Sequence, residues 1–254
     1  MTSNFDDDLA LARRLASLAA DIALELFRRG VETKIKSDGS PVSEADWEVD
    51  RLLVAELSRE RPDDSVLSEE SGAHGVGPRR WILDPIDGTA NFVTGKPSWG
   101  THVALEQDGE LVLGVITRPV IDQTWWATRG GGAYRTDASA PEGHVRLQVS
   151  ARADLASSRV SIWSQRPSER AERLRAGSVL VEASLNNIFE LAEGKLEAIV
   201  DAIGGAWDHA PGVILVEEAG GRYCDIQGGR RLDLGSGRYT NGCIDQALDR
   251  LLAP

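Results

Sequence analysis

Trp81-Ile82-Leu83-Asp84-Pro85-Ile86-Asp87-Gly88-Thr89 is a short apolar run that ends in two carboxylates, a proline, a glycine and a hydroxyl. Such a run reads as a buried strand that stops at a turn crowded with hard oxygen ligands. Two carboxylates this close repel each other unless something positive sits between them. A divalent cation supplies that charge, and magnesium in particular takes oxygen ligands in octahedral geometry while keeping several waters for a substrate phosphate. The stretch predicts a metal-dependent site at a strand end.

Upstream of it, residues 6–29 place Leu9, Leu11, Leu15, Leu18, Ile22, Leu26 and Phe27 at mostly helical spacing, with Gly30 as a C-terminal cap. Residues 34–41 are polar and broken by Gly39, which predicts a loop. A second helical pattern follows over 43–61, through Trp47, Val49, Leu52, Leu53 and Leu57, and stops at Pro62. From Ser65 the texture changes to strand-like pieces at 65–68, 81–83, 99–105, 111–117 and 123–128, divided by turns at 107–110 and 129–132. The first half is thus predicted to be helices on an antiparallel-rich sheet. Past a polar link at 138–143 the pattern alternates: strand 159–163, helix 168–176, strand 179–181, helix 186–193, strand 198–200, and a helix after Trp207. Alternation of this kind predicts an α/β lobe.

A chain of 254 residues can bury a substantial core, and a net charge of −12 with no basic block argues against a nucleic-acid groove. No apolar run reaches membrane-spanning length, and the N-terminal residues 1–8 are acidic where a signal peptide is basic, so a cytoplasmic protein without membrane partners is expected. Cys224 and Cys243 stand far apart, outside any C-x-x-C arrangement, and the four histidines show no zinc spacing. Gly130-Gly131-Gly132 lacks the strand-to-helix context of a phosphate cradle and reads as a hairpin turn before Ala133-Tyr134.

Three further acidic positions have ordinary explanations when taken singly. Glu69-Glu70 follows a predicted strand, Asp208 precedes a small-residue helix and could be its N-cap, and Asp46 alone would be a solvated first-turn carboxylate. Together they are not ordinary. The order Glu69-Glu70-Ser71, the Trp81 to Thr89 block, then Trp207-Asp208 and Glu218-Ala219-Gly220-Gly221 resembles the inositol monophosphatase family of magnesium-dependent, lithium-sensitive phosphatases. The resemblance runs from the Lys36–Asp46 segment to Thr240-Asn241-Gly242.

The resemblance implies an α/β fold, a layered α/β/α/β/α sandwich, with an N-terminal α+β lobe over 1–140, a C-terminal α/β lobe over 141–254 and the site between them. It implies two or three magnesium ions per site. Glu69 and Asp84 would hold the first with the backbone carbonyl of Ile86, and Asp84 would bridge to a second shared with Asp87 and Asp208. Gly88 and Thr89 would border the phosphate beside Asp87, while Glu70 would stand behind the ligands. Thr89 and Asp46 resemble the pair that orients and deprotonates the attacking water, with Lys36 as electrostatic helper. A Ser/His/Asp hydrolase would need a G-x-S-x-G elbow, and none is present. A non-catalytic metal- or phosphate-binding regulator would have lost a carboxylate or the Thr89–Asp46 pair, and both are here.

The substrate expected is a small phosphate monoester. Asp201 occupies the place of the family carboxylate that contacts the non-phosphate end of the substrate. Glu182-Ala183 stands where the usual pattern has a Gly-Ser or Gly-Thr pair, while Trp125-Trp126-Ala127 and Ser40-Pro41-Val42-Ser43-Glu44-Ala45-Asp46 look more like the bacterial histidinol-phosphatase branch. Histidinol phosphate is therefore favoured over inositol 1-phosphate. Family members are usually homodimers, which is expected here too.

Overall fold

The computed structural model describes residues 5–36, 39, 41–140, 142–163 and 168–253. Residues 1–4, Ser40 and Pro141, each used in reading the sequence, lie outside the described residues. The first half runs α1 (Asp6–Arg29), β1 (Thr33–Ile35), β2 (Pro41–Ser43), α2 (Glu44–Glu60), β3 (Ser65–Ser68), β4 (Gly72–His74), β5 (Arg79–Asp87) and α3 (Thr89–Val93). It continues with β6 (Gly100–Gln107), β7 (Glu110–Arg118), β8 (Gln123–Thr128), β9 (Gly132–Thr136) and β10 (His144–Arg146). The second half comprises β11 (Arg159–Ile162), α4 (Glu169–Gly177), β12 (Val179–Val181), α5 (Asn187–Ala192), β13 (Ala198–Ile203), α6 (Ala206–Glu218), β14 (Arg222–Asp225), β15 (Ser236–Thr240) and α7 (Asp245–Leu252).

The larger sheet has eight strands in the order β10-β9-β8-β7-β6-β5-β3-β4, antiparallel except where β3 runs parallel to β5. A second sheet has the order β12-β11-β13-β15-β14, with β11 parallel to both its neighbours. Three apolar clusters separate five layers. Leu11, Leu15, Leu53 and Leu57 of α1 and α2 pack on Trp81, Leu83, Val103 and Leu113 of the large sheet. On its other face Ile82, Ala104 and Ile116 meet Ala210, Val213 and Ile214 of α6, which also packs with Phe189 of α5 and Ile199 and Tyr239 of the small sheet. Leu174 of α4 and Leu248 of α7 cover the outer face of that sheet over Val160 and Val200. The layered α/β/α/β/α sandwich is thus present.

Local differences from the sequence reading have physical causes. The buried stripe of α1 is carried largely by Ala12, Ala16, Ala19 and Ala23, whereas Leu18 is exposed, because small side chains let the helix lie close on the sheet. The polar stretch read as a loop is edged by a two-stranded ribbon in which Thr33 pairs with Ser43 and Ile35 with Pro41. Gly131 N–H bonds the Thr128 carbonyl at 2.8 Å, closing the expected glycine turn between β8 and β9, and the Glu218 carboxylate accepts from the N–H groups of Gly130 and Gly132. No helix among the described residues is long and apolar enough to cross a membrane.

Candidate active site

Side-chain alternation along β5 decides what the opening stretch presents. Trp81 and Leu83 face α1 and α2, Ile82 faces α6, and Asp84 shares the parity of Ile82. The strand continues through both carboxylates to Asp87 rather than stopping at Leu83. Its register against β6 shifts between Asp84 and Asp87, an irregularity that accommodates Pro85 in a paired strand. The Ile86 carbonyl lies 3.1 Å from Thr89 Oγ1, whose one hydrogen is also within reach of Asp46 Oδ1. Gly88, the N-cap of α3, has φ +84°, and a Cβ there would lie 2.7 Å from Leu185 Cδ1 and 2.9 Å from the Ser98 carbonyl. Glycine is required there by its backbone and by this close approach, apart from any phosphate.

Asp84 is 1% exposed and its Oδ1 has no hydrogen-bond partner among the described residues. Burial, compounded by the charges of Glu69, Asp208 and Asp87, pushes its carboxyl well above the usual carboxylate range. Asp208 is not the N-cap of α6 but its third residue, with Oδ2 accepting from Gly205 N–H at 2.6 Å. Burial and the Asp87 charge push it up to about 7. Asp87 is also buried, but His102 and Arg118 outweigh the burial and hold its carboxyl low. Arg118 donates to Asp87 Oδ2 at 2.7 Å, and His102 Nε2 lies 3.4 Å from the same oxygen.

Lys36 Nζ stands 3.0 Å from Glu69 Oε1 and 2.6 Å from Glu70 Oε1. Burial works against its charge, yet these two carboxylates raise its pKa further above the ordinary lysine value. Burial, with the nearby Glu69 and Asp46 charges, pushes Glu70 up to about 7 despite Lys36. Asp46 is not a solvated first-turn residue. It is 1% exposed, its Oδ2 accepts from Ser43 N–H at 2.7 Å in the capping box of α2, and its Oδ1 accepts from Thr89 Oγ1 at 2.9 Å.

The donor set fits a hard divalent cation. An orphaned buried carboxylate oxygen amid further carboxylates is intolerable without a proton or a cation, and oxygen ligands select magnesium-like ions. Oxygens of Asp84 and Asp87 and a ring nitrogen of His102 lie within 4.8 Å of one another. The sequence reading missed His102 and Arg118. The available signal was parity, since Arg118 lies two residues beyond Ile116, on the α6 side, and His102 is cross-strand from both Ile116 and Asp84.

Asp201 is not brought to this site. The β13–β15 register shifts between Ile199 and Ala202, Asp201 adopts φ +51°, and its Oδ1 pairs with Arg170 at 3.1 Å, lining a separate cavity with Cys224 and Arg238. Ile199, Ala202 and Ile203 instead line the cavity of about 270 Å³ that adjoins Asp87, Gly88 and Asp208. No carboxylate besides Asp87 and Asp208 lines it among the described residues.

A family model described as "Inositol monophosphatase family" matches residues 5–253. A Streptomyces griseus protein named glucose-1-phosphate thymidylyltransferase is 47% identical over 92% of this chain and 91% of its own length. A Mycobacterium tuberculosis histidinol-phosphatase is 37% identical over 97% of this chain and 98% of its own. The solved structure of a Thermotoga maritima IMPase superposes with TM-score 0.84 and 28% identity, covering 97% of this chain and 96% of that one. With a profile spanning nearly the whole chain and these likenesses at full length, the chain belongs to the inositol monophosphatase family.

Proposed function

We propose that this protein is a magnesium-dependent hydrolase of small phosphate monoesters. The observation that carries this reading is the buried, unpartnered Oδ1 of Asp84 surrounded by Glu69, Asp87 and Asp208. Glu69, Asp84, the Ile86 carbonyl, Asp87 and Asp208 would hold two or three magnesium ions. Bound magnesium would supply positive charge against the phosphate and the leaving oxygen and would acidify the attacking water. Thr89 donates its hydroxyl proton to Asp46 Oδ1, which leaves the Thr89 oxygen free to accept a proton from that water, while Asp46 is fixed from behind by Ser43. Lys36 places one positive charge between Glu69 and Glu70. Gly88 and Thr89 border the phosphate at the mouth of the cavity.

Histidinol phosphate remains the first substrate of this reading, ahead of inositol 1-phosphate, and its support is the likeness to a histidinol-phosphatase. Asp201 no longer supports it, since its carboxylate is paired with Arg170. The decisive experiment is phosphate release after chelation and magnesium add-back, on histidinol phosphate, inositol 1-phosphate and glucose 1-phosphate. Glucose 1-phosphate is included, with and without dTTP, because of the name of the Streptomyces relative. Release restored by magnesium is expected, and full turnover in chelator overturns the metal reading. Pyrophosphate formed from dTTP would replace hydrolysis with nucleotidyl transfer. A homodimer is proposed on family grounds, and a monomer mass independent of concentration in light scattering would refute it.

A further inference from the structure

Away from the carboxylates, the cavity of about 270 Å³ that adjoins Asp87, Gly88 and Asp208 is walled mainly by hydrocarbon. Leu185 stands against the turn after Asp87, since its Cδ1 lies 2.7 Å from where a Cβ on Gly88 would be. Ile188 of α5 closes on α6, where a Cβ on Gly212 would lie 3.1 Å from Ile188 Cγ1. The register shift in β13 leaves Ile199, Ala202 and Ile203 on the cavity while Asp201 pairs with Arg170 outside it. Trp163, just past β11, completes the wall. Polar side chains gather at the Asp87 end, where Arg118 and His102 face that carboxylate. Elsewhere, among the described residues, the lining offers only Ser184, His209, Tyr239 and the Trp163 indole N–H. The Tyr239 hydroxyl and His209 Nδ1 lie 2.8 Å apart, and Ser184 Oγ accepts from Asn186 N–H at 3.2 Å. His209 Nε2 is buried with no partner among the described residues.

The geometry points to the alcohol half of the substrate: a ring on a short alkyl chain, held by this apolar wall, with neither a polyol nor an ammonium group being read by the protein. The inference rests on the phosphatase reading above and narrows it. A polyol would press several hydroxyls against hydrocarbon and leave them without partners. An ammonium would find no carboxylate beyond Asp87 and Asp208, both assigned to metal in that reading. A ring gains by the same burial. An apolar cavity of about 150 Å³ already accommodates benzene, so the space here takes a ring with its linker. Histidinol phosphate would accordingly be held by its ring, with its amino group unread.

Magnesium-dependent phosphate release from a set of esters tests this on the whole chain: 3-phenylpropyl phosphate, 3-(imidazol-4-yl)propyl phosphate, histidinol phosphate, glycerol 3-phosphate and inositol 1-phosphate. The kcat/KM for 3-phenylpropyl phosphate should exceed those for glycerol 3-phosphate and inositol 1-phosphate by about tenfold or more. Histidinol phosphate and its analogue without the amino group should agree within about twofold. Ile203 is 55% exposed, so Ile203→Asp can be made without emptying the core. That variant should lose most of the preference for the phenyl ester over glycerol 3-phosphate, chiefly through KM. Val76→Asp, at an exposed apolar position outside the cavity, should keep it. Inositol 1-phosphate equal to or better than the phenyl ester, or a gain of about tenfold from the amino group, overturns the inference and leaves the phosphatase reading intact. If magnesium restores hydrolysis of none of these esters, the phosphatase reading falls, and saturation-transfer NMR of 3-phenylpropan-1-ol on the same chain decides the inference. Transfer that Ile203→Asp abolishes upholds it, and transfer absent or unaltered by that substitution overturns it.

Discussion

Asp84 sits where function and stability pull in opposite directions, since a buried carboxylate with an unsatisfied oxygen is unfavourable until a cation arrives. Asp84→Asn should therefore lower kcat on the order of 100-fold or more, because under the proposed two-metal reading it removes charge from both positions. In chelator at pH 8 the same variant should be more stable than wild type by about 1 kcal/mol, measured by urea unfolding. A variant less stable than wild type under chelation would mean that Asp84 is satisfied without a metal. Thr89→Ala tests the proton relay, since kcat should drop strongly while magnesium affinity stays near the wild-type value, and Thr89→Ser should restore turnover. Equal loss of affinity would make Thr89 part of the cage. Asp84 and Asp87 could be singled out in the sequence because they stand three residues apart and their chemistry is local, while the roles proposed for Gly88 and Thr89 rest on the family resemblance. His102 and Arg118 were not, because they acquire meaning only through cross-strand register with Asp84 and Asp87. Asp201 was misplaced for the converse reason: a bulge beside it reverses the face that simple alternation assigns.

Helix α6 carries Asp208 to the cluster, and its position is set by contact with β7. A Cβ on Gly114 would lie 2.6 Å from Ile214 Cγ2 and 2.8 Å from Pro211 Cα, so Gly114→Ala must push the helix outward. Overpacking of this kind typically costs about 1–3 kcal/mol. Magnesium affinity should fall with it, whereas Leu174→Ala, on the outer face of the small sheet, should lose stability and keep its affinity; calorimetric titration of both variants separates the two effects. The same helix holds His209, whose imidazole burial pushes down to about 4 from an ordinary 6.5. Between pH 6.5 and 4 the unfolded chain takes up a proton that the folded chain refuses, so this residue lowers stability as pH falls, by up to about 3 kcal/mol. In the metal-free protein Asp208, raised to about 7 from 3.8, acts oppositely over its own window, adding stability as pH falls from 7 toward 4. Comparison of wild type with His209→Gln isolates the histidine contribution, and identical pH dependence of the two unfolding free energies would show that His209 protonates freely. Strand and helix identities from β11 to α6 were readable from alternation and β14, β15 and α7 were not read, while the intimacy of α6 with β7 was hidden in a single glycine.

Across the whole molecule the proposed acidic ligands belong to two layers: Glu69, Asp84 and Asp87 hang from the eight-stranded sheet, and Asp208 from the helical layer between the sheets. Periodicity separated a helix-on-sheet half from an alternating half and the five-layer order came from the family resemblance, but a crosslink between layers is a property of the assembled sandwich alone. Magnesium that binds the folded state and not the unfolded chain stabilises by mass action, about 2.7 kcal/mol at a hundred times Kd. Because its ligands span layers, that gain should be distributed unevenly. Hydrogen exchange should slow on magnesium addition at the end of β5 and in the first turn of α6, where repulsion among the carboxylates is relieved. Exchange in β11 and α4, whose core of Val160, Leu174 and Val200 lies beyond the small sheet, should change only as far as global unfolding governs it. Asp208→Asn should abolish the effect at α6 and preserve part of it at β5, since Glu69, Asp84 and Asp87 remain. Uniform slowing over all layers, unaltered by Asp208→Asn, would place the bound ion within the large sheet alone and remove α6 from the metal site.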